Sequence, residues 1–390
     1  MSKARQVANF DPALFAADEV SGDKVSGGTI GAGTIGGTSI INTSGAITTT
    51  GTATFSGDLV PATPLSHRNM IINGGMNVYQ RGSLAITTTN NGGYALDRFS
   101  YYQTGAGQYA GTMSQHSMTD PEVITTGHTT ALKIDTGTAE SAIDSADYGA
   151  LVYKVEAQDC QRMCAGRTNA KAVTLSFWAN SSVAGDYAVS MYQQDGDEII
   201  GNKFTLVADT WTKVEITFAG NTSTNIDDNN DLGLMIKWFL FAGSNWTSSD
   251  NTSWGASANA KIAYGHTGAW GLNASHNFYI TGVQLELGSS ATPFEHRSYG
   301  DELSRCQRYY QAGPPSGDAA RVYLFPVDHS SDYRRGMIFF KSSMRSAPAL
   351  TVTGVGGYQW AGTEHTALFT NGVPDGNSDD ATSWVATAEL

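Results

Sequence analysis

Several stretches of this chain alternate between apolar and polar positions. Residues 171–180 (KAVTLSFWAN) place Val173, Leu175 and Phe177 on one face, and residues 186–194 (DYAVSMYQQ) do the same with Tyr187, Val189 and Met191. Residues 210–220 bring Trp211, Val214, Ile216 and Phe218 near one face. Residues 277–288 (NFYITGVQLELG) group Phe278, Ile280, Val283, Leu285 and Leu287, with Gly282 as a candidate bulge. A period of two is that of a half-buried strand. Residues 232–243 (LGLMIKWFLFAG) are apolar almost throughout and read as a buried strand. Turns rich in Gly, Asn, Asp and Ser separate these runs, which argues for two packed antiparallel sheets. Residues 65–299 are ample for one sandwich core of the jelly-roll type.

The flanks follow other patterns. Residues 1–25 are polar, with Val7, Phe10, Leu14 and Phe15 as one apolar face of a short helix, a segment too small to fold alone that would dock on a partner. Residues 26–64 are a Gly/Thr-rich run without charge as far as Phe55, closed by Asp58 and two prolines. Ile30, Ile35 and Ile40 recur in it every five residues. One copy would leave them and Phe55 wet. Three parallel copies would turn them inward, which points to a trimeric shaft, with a flexible linker as the simpler alternative. Residues 300–311 (GDELSRCQRYYQ) put Leu303, Cys306, Tyr309 and Tyr310 at helical spacing, as a connector. Residues 312–390 contain short candidate strands (VYLFPVD, GMIFFKSS, ALTVTG, HTALFT, SWVATAEL) and form a small β domain near the lower limit of independent stability.

Composition narrows the functions. With 23 basic and 36 acidic residues the net charge is −13, and no Lys/Arg run offers the counter-charge a nucleic acid needs. The 232–243 run carries Lys237 and is shorter than the roughly 20 residues of a membrane span. The N-terminus lacks a secretory apolar core. Cys160, Cys164 and Cys306 are an odd set without zinc spacing, expected to be buried or semi-buried thiols.

Catalytic motifs are absent: there is no HExxH, Walker loop, GxSxG or EF-hand loop. Acidic residues cluster at Asp195/Asp197/Glu198, at Asp227/Asp228/Asp231 and at Asp379/Asp380. A pair of carboxylates flanking a sugar bond could hydrolyse it, but acids in DG and DDNN sequences ordinarily form solvated turns. Asp227, Asp228 and Asp231 also supply hard oxygen ligands for calcium, at a spacing that is not diagnostic. The aromatic residues say more. Trp246, Trp254, Tyr264 and Trp270 lie in a long polar stretch, and Tyr358, Trp360 and Trp384 near the C-terminus. Indole rings bordered by Asn, Asp and Ser match the apolar face and hydroxyl rim of a sugar. Equally, such rings could anchor the loop to the sandwich or to a neighbouring chain.

The phrase ITGVQLELGSSATPFEHRSYGDELSRCQRYYQ (280–311) resembles the segment joining two C-terminal domains in tail fibre proteins of tailed bacteriophages. NMIINGGMNVYQRG (69–82) with YALDRF (94–99) resembles the opening of their jelly-roll, carbohydrate-binding-module-like domain, and KAVTLSFWAN and TWTKVEITF resemble its inner strands. The N-terminal run resembles docking and shaft segments of marine phage fibres, cyanophages especially. FFKSSMRSAPALTVTG and VATAEL resemble the terminal domain. The resemblance implies a homotrimeric fibre on the virion tail, made in the host cytoplasm, attached to a tail or baseplate adaptor through residues 1–25, and binding a bacterial surface glycan or outer-membrane receptor during adsorption. A depolymerase tailspike, or a structural fibre carrying another adhesin, are the alternatives.

Overall fold

The computed structural model describes residues 66–87, 92–105, 110–313, 325–326, 333–353, 359–372 and 383–390. All belong to one compact unit, Pro61–Leu390. The docking face (Val7, Phe10, Leu14, Phe15), the shaft positions (Ile30, Ile35, Ile40, Phe55), Tyr358 and Asp379/Asp380 lie outside the described residues.

The chain is mostly β. Its first strands are β1 (Leu84–Ile86), β2 (Gly93–Tyr94), β3 (Phe99–Thr104) and β4 (Ala110–Ser117). Helix α1 (Asp120–Thr126) follows, its first turn closed by a capping box between Thr119 and Glu122. Next come β5 (Thr130–Thr138), β6 (Tyr148–Glu156), β7 (Val173–Ser181) and β8 (Gly185–Gln193). Then come β9 (Glu198–Leu206), β10 (Thr212–Phe218) and β11 (Leu232–Ala242). A one-turn helix α2 (Ser244–Thr247), β12 (Gly255–Ala256) and β13 (Asn277–Leu287) complete the sandwich. Among the described residues one sheet has the order β1-β4-β5-β13-β7-β10 and the other β12-β9-β8-β11-β6-β3-β2, with every named pairing antiparallel. This is the expected jelly-roll type of sandwich.

The alternating runs explain the core. Val214, Ile216 and Phe218 of β10 point between the sheets while Lys213, Glu215 and Thr217 face water. Tyr187, Val189 and Met191 meet Leu234, Ile236 and Trp238 there. Trp238 is fully buried and packs edge-on against Phe177 at 6.0 Å. The expected bulge is present: the β13–β7 register shifts between Thr281 and Gln284, and Gly282 adopts φ +62°. A side chain at this glycine would also meet His128 Nε2 at 2.5 Å. The site depends on the exceptions to alternation. β6 is buried along almost its whole length, and β11 nearly so. The outward residues Tyr148, Ala150, Val152 and Phe239 form a second cluster with Ile262 and Ala263, covered by the chain after β11.

Helix α3 (Tyr299–Gln307) is the connector, capped by the Ser298 hydroxyl. It stops short of the expected end at 311. Tyr309 donates to Glu156, which turns the chain, and Tyr310 enters β14 (Tyr310–Ala312). This strand pairs with β20 (Ser383–Thr387), which in turn pairs with β17 (Ala349–Thr353). A second small sheet is built from β15 (Phe325–Pro326), β16 (Tyr333–Phe339), β19 (Thr366–Gly372) and β18 (Gln359–Gly362). Among their described residues Ile338, Met344, Leu350, Val352 and Trp384 share a small core. All three cysteines are free thiols, Cys160 and Cys306 buried and Cys164 half-buried. Among the described residues no helix is long and apolar enough to cross a membrane.

Candidate functional site

The outward face of the seven-stranded sheet is not fully covered by the described residues. Where the chain after β11 stops covering it, a groove of about 500 Å³ remains. Its floor comes from adjacent strands: Tyr102 and Thr104 on β3, Tyr148 on β6, Met235 and Lys237 on β11, Ser190 and Tyr192 on β8. Parity places them there. In each of these strands residues of the opposite parity (Tyr101, Leu151, Ile236, Val189, Met191) belong to the core between the sheets.

One wall is the segment from α2 to Ile262, which contributes Trp246, Ser257, Asn259 and Ile262. Its anchorage is local and polar. Gly243 N–H donates to Asp147 O at 2.7 Å, Asn245 N–H to Ser145 O at 3.0 Å and Ala263 N–H to Trp246 O at 2.9 Å. Further along, Ser257 N–H donates to Asp197 O at 2.7 Å, and Asn251 Nδ2 to Lys261 O at 2.6 Å. Position 243 must be glycine because a side chain there would lie 2.0 Å from Asp144 O.

Aromatic rings run across the floor. Tyr102 and Tyr148 lie nearly parallel with centroids 6.1 Å apart, and Trp246 meets Tyr148 edge-on at 4.9 Å. Tyr102 is 40% exposed and thus offers a free face. Burial, reinforced by Tyr102, pushes the Tyr148 phenol up to about 12, so it stays a neutral donor at any ordinary pH. Trp246 Nε1 has no hydrogen-bond partner among the described residues. Tyr192 O–H donates to Asp197 Oδ1 at 3.0 Å. Lys237 Nζ stands 5.7 Å from the Tyr148 ring centre, and burial, with Lys154 as the second cause, lowers its pKa. Flat apolar faces beside hydroxyl, amide and ammonium donors can stack on a sugar ring and bind its rim.

Of the seven aromatic residues singled out in the sequence, Trp246 lines this groove. Trp254 is half-buried and fixed by a 2.7 Å bond from its indole to Ala219 O. Tyr264 is 36% exposed outside the groove. Trp270 is fully buried in the sandwich core and presents no face to a ligand. Trp384 is buried against Phe340 in the small C-terminal core, and Trp360 lies in β18. Two of the acidic groups bind polar groups of the 221–227 segment. Asp195 Oδ2 accepts the Asp227 N–H at 2.9 Å, and Glu198 accepts Asn221 Nδ2 at 2.6 Å. Asp197 is the one carboxylate lining the groove among the described residues. Asp227, Asp228 and Asp231 do not converge: no group of three or more His, Cys, Asp or Glu among the described residues could hold a metal ion. Tyr102, Tyr148, Tyr192 and Lys237 were not apparent from sequence. The available signal was the pair Tyr101-Tyr102, aromatic on both parities, and a lysine inside an apolar strand.

No family model matches the chain, and no curated protein matches it. Solved structures resemble it. The enzymatically active domain of tailspike protein 4 of bacteriophage CBA120 is 10% identical over 56% of this chain, with a TM-score of 0.29, and this chain spans 21% of that one. TmCBM61, solved in complex with β-1,4-galactotriose, is 12% identical over 57% of this chain and 99% of its own, with a TM-score of 0.28. A family 11 carbohydrate-binding module from a Clostridium thermocellum cellulosomal cellulase is 11% identical over 55% of this chain and 99% of its own, with a TM-score of 0.27.

Proposed function

We propose that this chain binds a glycan in the groove on the outward face of its seven-stranded sheet. The observation that carries the reading is the aromatic floor, Tyr102 beside Tyr148 beside Trp246, in a groove of about 500 Å³ bordered by polar groups. An exposed Tyr102 ring costs free energy in the free protein, and a stacked sugar recovers it. The test is glycan binding by Tyr102→Ala and Trp246→Ala. Tyr102→Ala, at a 40% exposed position, is expected to weaken binding about tenfold with little change in unfolding. Unchanged binding by both variants would remove the site.

The wider role we propose is that of a homotrimeric virion tail fibre that binds a bacterial surface glycan or lipopolysaccharide during adsorption. Three or more copies of a shallow site suffice for firm attachment. The phrase at 280–311 and the charge-free run with Ile30, Ile35 and Ile40 support that role. Sedimentation of the full chain is expected to show three copies per particle, and a compact monomer at micromolar concentration would overturn the trimer. Added protein should block phage adsorption. Incubation with a bound polysaccharide should release no new reducing ends; their appearance would favour a depolymerase.

A further inference from the structure

Lys237 is out of keeping with its surroundings. It is the one Lys or Arg among the described residues lining the groove. In the sheet it lies between Ser190 of β8 and Val152 of β6, neither of which carries charge. Among the described residues the charged group acting on it is another cation, Lys154, and burial and Lys154 together disfavour its protonated form. Asp197, the groove's carboxylate, is held by the Tyr192 hydroxyl. Acidic residues outnumber basic ones by 36 to 23, yet among the described residues none forms an ion pair with this ammonium. Half-burying a cation without a counter-ion costs free energy that an apolar residue at the same position would not. Such a group is compensated when a ligand brings the missing charge, and its half-buried position strengthens that attraction.

Resting on the groove as the glycan site, we propose that it selects anionic saccharides, seating a carboxylate or phosphate substituent against Lys237 Nζ while the sugar ring lies on Tyr148 and Tyr102. Selection arises because a neutral sugar leaves the ammonium uncompensated while still displacing its water.

The experiment is an array of uronate-bearing and phosphate-bearing oligosaccharides, each printed beside its methyl-esterified or dephosphorylated counterpart, and probed with the full chain. Wild type should favour the charged member, and the preferred series separates carboxylate from phosphate. The preference should weaken as salt is raised. Lys237→Met should lower the charged signal about tenfold toward the neutral one, Lys237→Arg should keep the preference, and Lys213→Met, on the opposite sheet, should change nothing. Because Lys237 has no counter-ion to lose among the described residues, Lys237→Met should unfold no earlier than wild type. Equal binding to both members, unchanged by Lys237→Met, overturns charge selection and leaves the groove standing if Tyr102→Ala still weakens it. No binding to any member, or binding indifferent to Tyr102→Ala, removes the groove and the charge selection together.

Discussion

His266 shows how one side chain ties stability to pH. Its Nδ1 accepts the Ala188 N–H at 3.2 Å, so the proton must sit on Nε2, which donates to Gly268 O at 2.9 Å. The ring is therefore held neutral, and burial pushes its pKa down to about 4. His128 is brought to about 4 as well, by burial and then by His296, whose ring lies 5.6 Å away. Unfolding returns each to about 6.5, so between pH 6.5 and 4 the unfolded chain binds more protons than the folded one. Stability from these groups is complete above that window and is lost as pH falls through it. Each contributes on the order of 3 kcal/mol at most. The urea midpoint is expected to drop between pH 7 and pH 4.5, and a flat profile would show that neither ring is held as described. Glu122 acts in a lower window. Burial alone would raise its pKa, but the Thr119 N–H and hydroxyl, with His116 and Trp211, bring it to about 2, so its contribution fades only below the ordinary glutamate range.

Single elements separate what the sequence made legible from what it hid. The strands with alternating apolar and polar residues were readable, because a period of two needs no knowledge of the partner strand: β7, β8, β10 and β13 lie where alternation put them, down to the Gly282 bulge, although of the four only β10 leaves its polar face exposed. Helix α1 was missed although Thr119 and Glu122 form a capping box, since seven residues carry too little periodicity to be noticed. The groove was hidden for another reason. Tyr102, Tyr148, Tyr192 and Lys237 come from four strands far apart in sequence, and only register and sheet order make them neighbours. In the polar stretch after β11 the sequence could not tell Trp246, at the groove, from Trp270, in the core, because both are indoles among Gly, Ser and Asn. That stretch depends on one backbone feature. Gly243→Ala would set a methyl group 2.0 Å from Asp144 O, forcing α2 away from the 144–147 turn and Trp246 away from Tyr148. A loss of roughly 1–3 kcal/mol is expected by chemical unfolding, together with weakened glycan binding. Wild-type behaviour in both would mean that the wall does not hang from this glycine.

Across the whole described unit, the sandwich and the small C-terminal sheets are joined by buried charge. Arg98 is 2% exposed, adopts φ +74°, and lays its guanidinium over the Tyr309 ring at 3.4 Å. Such a backbone in a non-glycine residue costs of order 1–3 kcal/mol and persists only where surrounding contacts hold it. Here Glu389 does so, accepting from both Arg98 and Arg81, while Arg98 Nη2 donates to Lys154 O at 2.6 Å. A second ion pair runs parallel. Burial alone would raise the Glu156 pKa, but a double contact from Arg308 at 2.7 Å and the Tyr309 hydroxyl hold it below the usual range. Arg345 closes the arrangement by binding Ala388 O, Glu389 O and Asn230 O. Charges this deep contribute little net stability as a pair, yet breaking one side is costly because the survivor stays buried and unpaired. Glu389→Gln is therefore expected to cost about 3 kcal/mol, whereas Arg98→Met combined with Glu389→Leu should cost much less than the two single changes added together. Scanning calorimetry should also see the coupling: wild type melts in one transition across sandwich and small sheets, and Glu389→Gln splits off an earlier one from the small sheets, whose core among the described residues is slight. If Glu389→Gln melts like wild type, Glu389 is not what holds the C-terminal sheets to the sandwich. If the double change costs the sum of the singles, Arg98 and Glu389 act independently.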